Sequence, residues 1–388
     1  MRTLRFAPVA ILASFLLLTT AVVAVADQAL SIEESHWAMF ELLDHSVSFQ
    51  DVSGNVVVYR GITSPVMLID IFSGKTQRFD DQHPCGDFYV PDQARIEGDW
   101  LVVQFSCLDV GETRFQSHLY NLETGETFLL APDPPDPELP YSWYVDIKDG
   151  RVVWSQLANC SRGDIYLLDL ETRDINKVTK GSGTGARLNL SLGPEWLAWD
   201  EFRQGDSLYF DVHATNLISG ETITVTSGLH ARGNMPLAGN DVIIWHETTY
   251  PREIWALDLT TGDRHQIAAS GDYPFAADLS GDLLVLSDQV SKVAGMAPDN
   301  SGDQTAGTPN EPCDLPRAGP LSNNRLRVYD LATNSDVFVY YNPEANSQYL
   351  ARIDRQTAIW AERVNLDPSH VLAARRFEHQ FYMPLIFR

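Results

Sequence analysis

The sequence predicts an all-β fold built from a repeated unit, and three observations predict it. A turn phrase, Gly beside Asn, Asp or Arg, leads into a β-branched run ending in an aromatic. The clearest copies are Gly54-Asn55 to Tyr59, Gly150-Arg151 to Trp154, Gly193 to Trp199 and Gly239-Asn240 to Trp245. A partner phrase closes the following strand: Asp70-Ile71-Phe72-Ser73-Gly74, Asn121-Leu122-Glu123-Thr124-Gly125, Asp169-Leu170-Glu171-Thr172-Arg173, Asn216-Leu217-Ile218-Ser219-Gly220, Asp258-Leu259-Thr260-Thr261-Gly262 and Asp330-Leu331-Ala332-Thr333-Asn334. The two phrases alternate with strand-like rather than helical segments between them. Strands repeated in this way mark a β-propeller of four-stranded antiparallel blades. The count gives seven blades, or six if the degenerate last unit completes the first.

Taken in chain order, the first unit reads as strands at 47–49, 56–60 and 66–71, and the second at 94–96, 100–105, 117–122 and 126–130. The third follows at 144–147, 152–156 and 165–170, and the fourth at 188–192, 196–200, 210–217 and 221–226. The fifth has 236–237, 242–247 and 253–259, and the sixth 276–279, 283–288 and 325–331. The seventh begins at 349–353 and 357–363, lacks the partner phrase, and offers 371–377 and 381–386 as outer strands. Gly or Asn at 74, 125, 220, 262 and 334 suits a turn that needs positive φ, and the Asp or Asn four residues earlier can hydrogen-bond its backbone. Aromatics recur in the second strand as Tyr59, Phe105, Trp154, Trp199, Trp245 and Trp360, with Leu286 in the sixth unit. Repetition at equivalent places implies packing between blades rather than a binding cage.

The chain ends frame this repeat. Arg2 and Arg5 precede an apolar run from Phe6 to about Ala26 that closes Ala24-Val25-Ala26, so residues 1–26 read as a signal peptide or an N-terminal anchor. Residues 27–46 read as an extension and 47–388 as the propeller, with an insertion at about 289–323. The formal charge is −24 and becomes about −26 without the first 26 residues. Such a surface repels phosphate backbones and anionic lipid, which excludes nucleic acid and a membrane surface beyond the anchor as partners. Export to the cell surface, the periplasm or the medium is the expected location.

Because antiparallel strands alternate direction, turns between first and second strands share a face with those between third and fourth. That face carries short turns. The opposite face carries the elaboration: 80–89, 131–140 with its Asp-Pro-Pro-Asp-Pro run, 181–186 and the insertion. Long loops on one end of a rigid scaffold are where binding usually resides. Cys85, Cys107, Cys160 and Cys313 map to this face, and an even count in an exported chain implies two disulfides. Neighbouring connections favour Cys85 with Cys107, leaving Cys160 with Cys313 to tether the insertion.

Candidate binding residues on the elaborated face are His230, His246, Glu247, Asp200, Glu201 and Glu362. Three His and a carboxylate could hold a divalent metal, so His83, His230, His246 and His370 are the metal candidates, although no close ligand spacing supports them. No cofactor is otherwise expected. A Gly-x-Ser-x-Gly nucleophile elbow is absent from the sequence, and Gly181-Ser182-Gly183-Thr184-Gly185 lacks the following helix of a phosphate loop. Asp299-Asn300-Ser301-Gly302-Asp303 has calcium-loop residue types without the downstream Glu. Asn159-Cys160-Ser161 and Asn189-Leu190-Ser191 match the glycosylation triplet.

The phrase Gly239 to Trp245 followed by Glu253-Ile254-Trp255-Ala256-Leu257-Asp258-Leu259 resembles the repeat of TolB-like β-propeller proteins, as does Asp164-Ile165-Tyr166-Leu167-Leu168-Asp169-Leu170 running on to Thr179. The resemblance spans about 47–363 and implies an exported propeller that binds other macromolecules. The expectation is therefore a non-enzymatic binding module that recognises a protein or glycan through its long-loop face. The alternative is a metal-dependent carbohydrate-active enzyme, a lyase or hydrolase, on the same scaffold.

Overall fold

A computed structural model describes residues 37–43, 47–61, 65–79, 89–109, 112–131, 141–159, 162–179, 185–202, 210–226, 233–247, 253–268, 275–288, 325–342, 345–364 and 370–376. They form seven four-stranded sheets, each paired antiparallel throughout. β1 (Trp37–Leu43) comes first in the chain. Blade 1 is β2 (Val47–Ser53), β3 (Val56–Gly61), β4 (Val66–Asp70) and β5 (Thr76–Phe79). Blade 2 is β6 (Tyr89–Glu97), β7 (Trp100–Asp109), β8 (Glu112–Asn121) and β9 (Thr127–Leu129). Blade 3 is β10 (Tyr141–Lys148), β11 (Arg151–Asn159), β12 (Arg162–Asp169) and β13 (Ile175–Lys177). Blade 4 is β14 (Arg187–Leu192), β15 (Trp196–Phe202), β16 (Phe210–Asn216) and β17 (Thr222–Thr224). Blade 5 is β18 (Gly233–Ala238), β19 (Val242–Glu247), β20 (Glu253–Asp258) and β21 (Arg264–Ala268). Blade 6 is β22 (Phe275–Ser280), β23 (Leu283–Asp288), β24 (Arg325–Asp330) and β25 (Ser335–Tyr341). Blade 7 has β26 (Ala345–Asp354), β27 (Thr357–Val364) and β28 (His370–Arg376), and β1 supplies its fourth strand beside β28.

The chain is thus a seven-bladed propeller. First strands of successive blades touch one another, and β26 touches β2, so the seven line one axis. The alternative of six blades fails because β1 joins the last unit instead of the last unit joining the first. Trp37 to Leu43, read from sequence as part of an extension, pairs with Arg376 to Val371. Residues 381–386, expected to supply an outer strand, lie outside the described residues.

The partner phrase forms the expected Asx turn in six blades. Oδ1 of Asp70, Asn121, Asp169, Asn216, Asp258 and Asp330 accepts the N–H of the residues two and three further on. Hydrogen bonds led by Ser73 N–H on Asp70, Thr172 N–H on Asp169 and Thr260 Oγ1 on Asp258 hold these carboxyls below the usual range. The fifth residue then takes positive φ, as at Gly74, Gly125, Arg173, Gly220, Gly262 and Asn334. The second residue of the phrase, Leu or Ile, docks on the first turn of its own blade, for example Leu259 N–H on Asp241 O and Leu170 N–H on Gly150 O. That bond is why the two sequence phrases travel together.

The aromatics pack each blade on the one before it. Tyr59 shares a core with Ile359 and Ala361, Trp154 with Val102 and Leu119, Trp245 with Ala198 and Val212, and Trp360 with Val285 and Val328. Burying each indole stabilises its interface by about 2–3 kcal/mol. In blade 2 the register assigns this place to Val103, which stands against Arg95's neighbour Ala94 as Trp154 stands against Val145. Phe105 lies two residues further along the same face of β7, buried in the same core.

Candidate functional site

Every first strand carries a register shift of the β-bulge kind before its last residues, at Val47/Phe49, Pro91/Gln93, Trp143/Val145, Leu188/Ser191, Asn234/Leu237, Ala276/Asp278 and Tyr349/Arg352. Tyr144, Asn189 and Met235 reach φ of 49°, 48° and 49° there. A bulge interrupts the period-two alternation and re-aims the side chains beyond it. Three residues before each turn it brings one equivalent residue per blade to the axis: Asp51, Arg95, Asp146, Ser191, Leu237, Asp278 and Arg352, opposite Val58, Val102, Val153, Ala198, Ile244, Val285 and Ile359.

Around the ring the order Asp278, Arg352, Asp51, Arg95, Asp146 alternates in charge, while blades 4 and 5 contribute neutral Ser191 and Leu237. The acids also staple neighbouring blades. Asp51 Oδ2 accepts Ile96 N–H at 2.9 Å, Asp146 Oδ2 accepts Leu192 N–H at 2.7 Å and Asp278 Oδ2 accepts Ile353 N–H at 2.9 Å. Ser191 Oγ does the same for Ala238 N–H at 3.0 Å. The guanidinium groups lie beside the acids at ion-pair distance, Arg95 Nε 3.8 Å from Asp146 and Arg352 Nε 3.9 Å from Asp51.

All of these residues except Leu237 wall an axial cavity of about 240 Å³. It lies at the end bearing the turns between first and second strands, and Glu97, Lys148, Asp354 and Arg355 also line it. Burial pushes the Asp51 carboxyl up to about 6 against the pull of Arg95 and Arg352, and burial also raises Asp146. Desolvation lowers Arg352, whose Nε has no hydrogen-bond partner. Both signs of charge are therefore held among buried groups, where a ligand's charges would be felt more strongly than at the surface. Sequence reasoning missed this ring because a bulge hides the facing of every residue after it. The signal was present as a charged or polar residue three positions before six of the seven turns.

The residues singled out from the sequence do not converge. Asp200 is fully buried, and its Oδ2 accepts Asn189 Nδ2 at 2.7 Å and Met235 N–H at 3.1 Å, joining blades 4 and 5. That bond engages the Asn of one glycosylation triplet. Burial lifts Asp200 to about 6. Glu201 pairs with Arg187, which also binds Asp164 between blades 3 and 4. His246 Nε2 accepts Ala276 N–H at 2.8 Å, which places its proton on Nδ1 and makes it a link between blades 5 and 6. Glu362 accepts Asn342 Nδ2 at 2.6 Å, and Glu247 is half-buried beside Glu253, its carboxyl raised by burial. His83 and His230 lie outside the described residues, as does the side chain of His370. Among the described residues no group of three or more His, Cys, Asp or Glu could hold a metal.

Cys107 ends up buried in β7 and is disulfide-bonded. The other three cysteines and the long loops fall outside the described residues. Arg325, the first described residue after the insertion, donates to both carboxylate oxygens of Asp288, the last described residue before it.

No family model and no curated protein matches the chain. Solved structures do. The chain is similar to a puromycin hydrolase, the S511A mutant complexed with PGG, with a TM-score of 0.57 at 10% identity over 85% of this chain and 53% of that one. It is similar to a prolyl endopeptidase with a TM-score of 0.56 at 13% identity over 94% and 52%, and to a puromycin-hydrolysing peptidase of Mycobacterium tuberculosis with 0.53 at 15% over 85% and 52%. The chain spans about half the length of these structures. They confirm the fold, and they correct the expectation of a non-enzymatic protein- or glycan-binding module with a carbohydrate-active alternative, because the propellers it matches belong to peptidases.

Proposed function

We propose that this chain serves peptide hydrolysis as the propeller portion of a peptidase, its axial cavity holding a peptide for cleavage. The observation that carries this reading is the ring of alternating acids and guanidiniums around a 240 Å³ cavity. A short peptide carries an ammonium at one end, a carboxylate at the other and amides between, and the ring offers a counter-charge for each. The kinship with structures twice its length supports the same reading. The cavity's hydroxyls are engaged as staples, Ser53 by Gly98 N–H, Ser191 by Ala238 N–H and Ser280 by Arg355 N–H. The nucleophile is therefore assigned to a catalytic unit outside the described residues.

The test uses the full chain with a set of short fluorogenic peptides, measuring binding and hydrolysis in parallel. Peptide binding that Arg352→Ala and Asp51→Ala weaken about tenfold, and that neutral polysaccharides do not compete, is the expected result. A folded protein that neither binds nor cleaves any of the peptides overturns the proposal.

Export through residues 1–26 is part of the proposal, supported by the apolar run and by the oxidised Cys107. So is the pairing of Cys85 with Cys107 and Cys160 with Cys313, which mass mapping without reductant would read directly. The TolB-like label for the repeat rests on the turn phrases quoted above.

A further inference from the structure

Lys148 is the last residue of β10 in blade 3, yet its Nζ donates to the carbonyl oxygen of Leu279 in blade 6 at 2.9 Å. In a ring of seven, blades 3 and 6 stand three places apart and nearly face each other. The side chain therefore crosses the axial cavity, which both residues line. The equivalent positions in blades 4 and 5 are Gly193 and Gly239, which have no side chain to send across. The seat itself is made of a main-chain carbonyl with Asp278 immediately before it and with Asp146 below Lys148 on its own strand. Asp278 is pinned by Leu279 N–H at 2.9 Å and by Ile353 N–H, so its carboxylate is held on the same cavity wall.

We propose that this seat is a binding site for a primary ammonium group, filled in the free chain by Lys148 and vacated for the amino terminus of a peptide. A lysine ammonium and a peptide α-ammonium present the same three N–H donors, and a carbonyl in a cavity walled by carboxylates receives either. The tethered lysine competes with a free ligand at the high effective concentration of a short linker, so it acts as a plug that only a ligand with further contacts displaces. That the incoming ammonium belongs to a peptide rests on the peptidase reading, whereas the seat does not.

The experiment is thermal melting of the full chain, wild type and Lys148→Ala, with n-butylammonium and with tetramethylammonium. At saturating n-butylammonium the alanine variant is expected to gain about 2 °C, with no gain for the wild type or with the quaternary ion. Lys148→Met, which fills the space without a charge, is expected to show no gain. Lys148→Ser replaces the alanine variant if the latter does not fold. A gain that is equal in wild type and variant, or absent from the folded truncation variants, overturns the site. Gly-Ala-Ala and its N-acetylated form separate the two readings. Binding of n-butylammonium without binding of either peptide keeps the seat and removes the peptidase reading. Equal binding of both peptides keeps that reading and removes the seat.

Discussion

Asp354 Oδ2 accepts the backbone N–H of Gly54 at 2.6 Å, carrying the last blade onto the first across 300 residues of chain. It is the same staple that Ser53 makes to Gly98 and Glu97 makes to Asp149 and Gly150 between earlier blades. Here it also joins the two blades at which the ring closes. Asp354→Ala should lower the unfolding free energy by about 1–2 kcal/mol, because it leaves the Gly54 N–H without its acceptor. Urea titration of the variant beside Ser53→Ala checks this, and an unchanged midpoint for Asp354→Ala removes the bond from the closure.

The second closure is β1 on β28. Removing residues 1–46 strips the outer strand from blade 7 and bares the edge of β28, a template for pairing with another chain. That truncation should aggregate or lose a cooperative thermal transition, whereas removal of residues 1–36 leaves β1 in place and should melt like the full chain. Size-exclusion chromatography with thermal melting distinguishes the two.

Asp200 gives a dependence on pH. Burial raises its carboxyl from an ordinary value of 3.8 to about 6, so between those values the folded chain holds the proton more tightly than the unfolded chain does. Its contribution to stability is therefore complete below about pH 4 and is lost as the pH rises through 6. Asn at this place keeps an acceptor for Asn189 and Met235 and cannot ionise. Asp200→Asn should be more stable than wild type at pH 7, by up to about 3 kcal/mol, with the difference shrinking toward pH 4. Denaturant titrations at the two pH values read it, and a pH-independent difference contradicts it.

Two glycines should respond differently to alanine. A Cβ on Gly193 would sit 2.7 Å from Gly239 O and 3.0 Å from Ala238 O, both backbone atoms of the next blade. Gly193→Ala must push blades 4 and 5 apart and should cost about 1–3 kcal/mol. A Cβ on Gly74 meets open space, and only its φ of +64° opposes the change, so Gly74→Ala should cost about 1 kcal/mol. Melting temperatures of the two variants in one background provide the comparison.

The turn chemistry was legible because it is local. The Asx turn at Asp258 involves residues two and three positions on, and its dock on Asp241 O lies within the same blade. The second strands read well for a related reason: they are apolar on both faces because blades pack on both sides. First strands came out too short, as at 236–237 against the observed Gly233–Ala238, because the bulge breaks the alternation that announces a strand. His246 and Asp200 looked like site residues because polar groups at strand ends carry no label for whether they serve a ligand or the next blade's backbone.

By itself the sequence determined the repeat, the four-stranded unit, the turn type at each partner phrase and the acidic charge of the chain. These follow from period, composition and hydrogen bonds spanning a few residues. Tertiary structure alone decided that Trp37–Leu43 completes the last blade, that five charged residues, each three before a turn, stand side by side around the axis, and that Lys148 reaches Leu279 across it. Those relations join groups up to 300 residues apart, and they exist only once the ring has closed and every bulge has set its strand's facing.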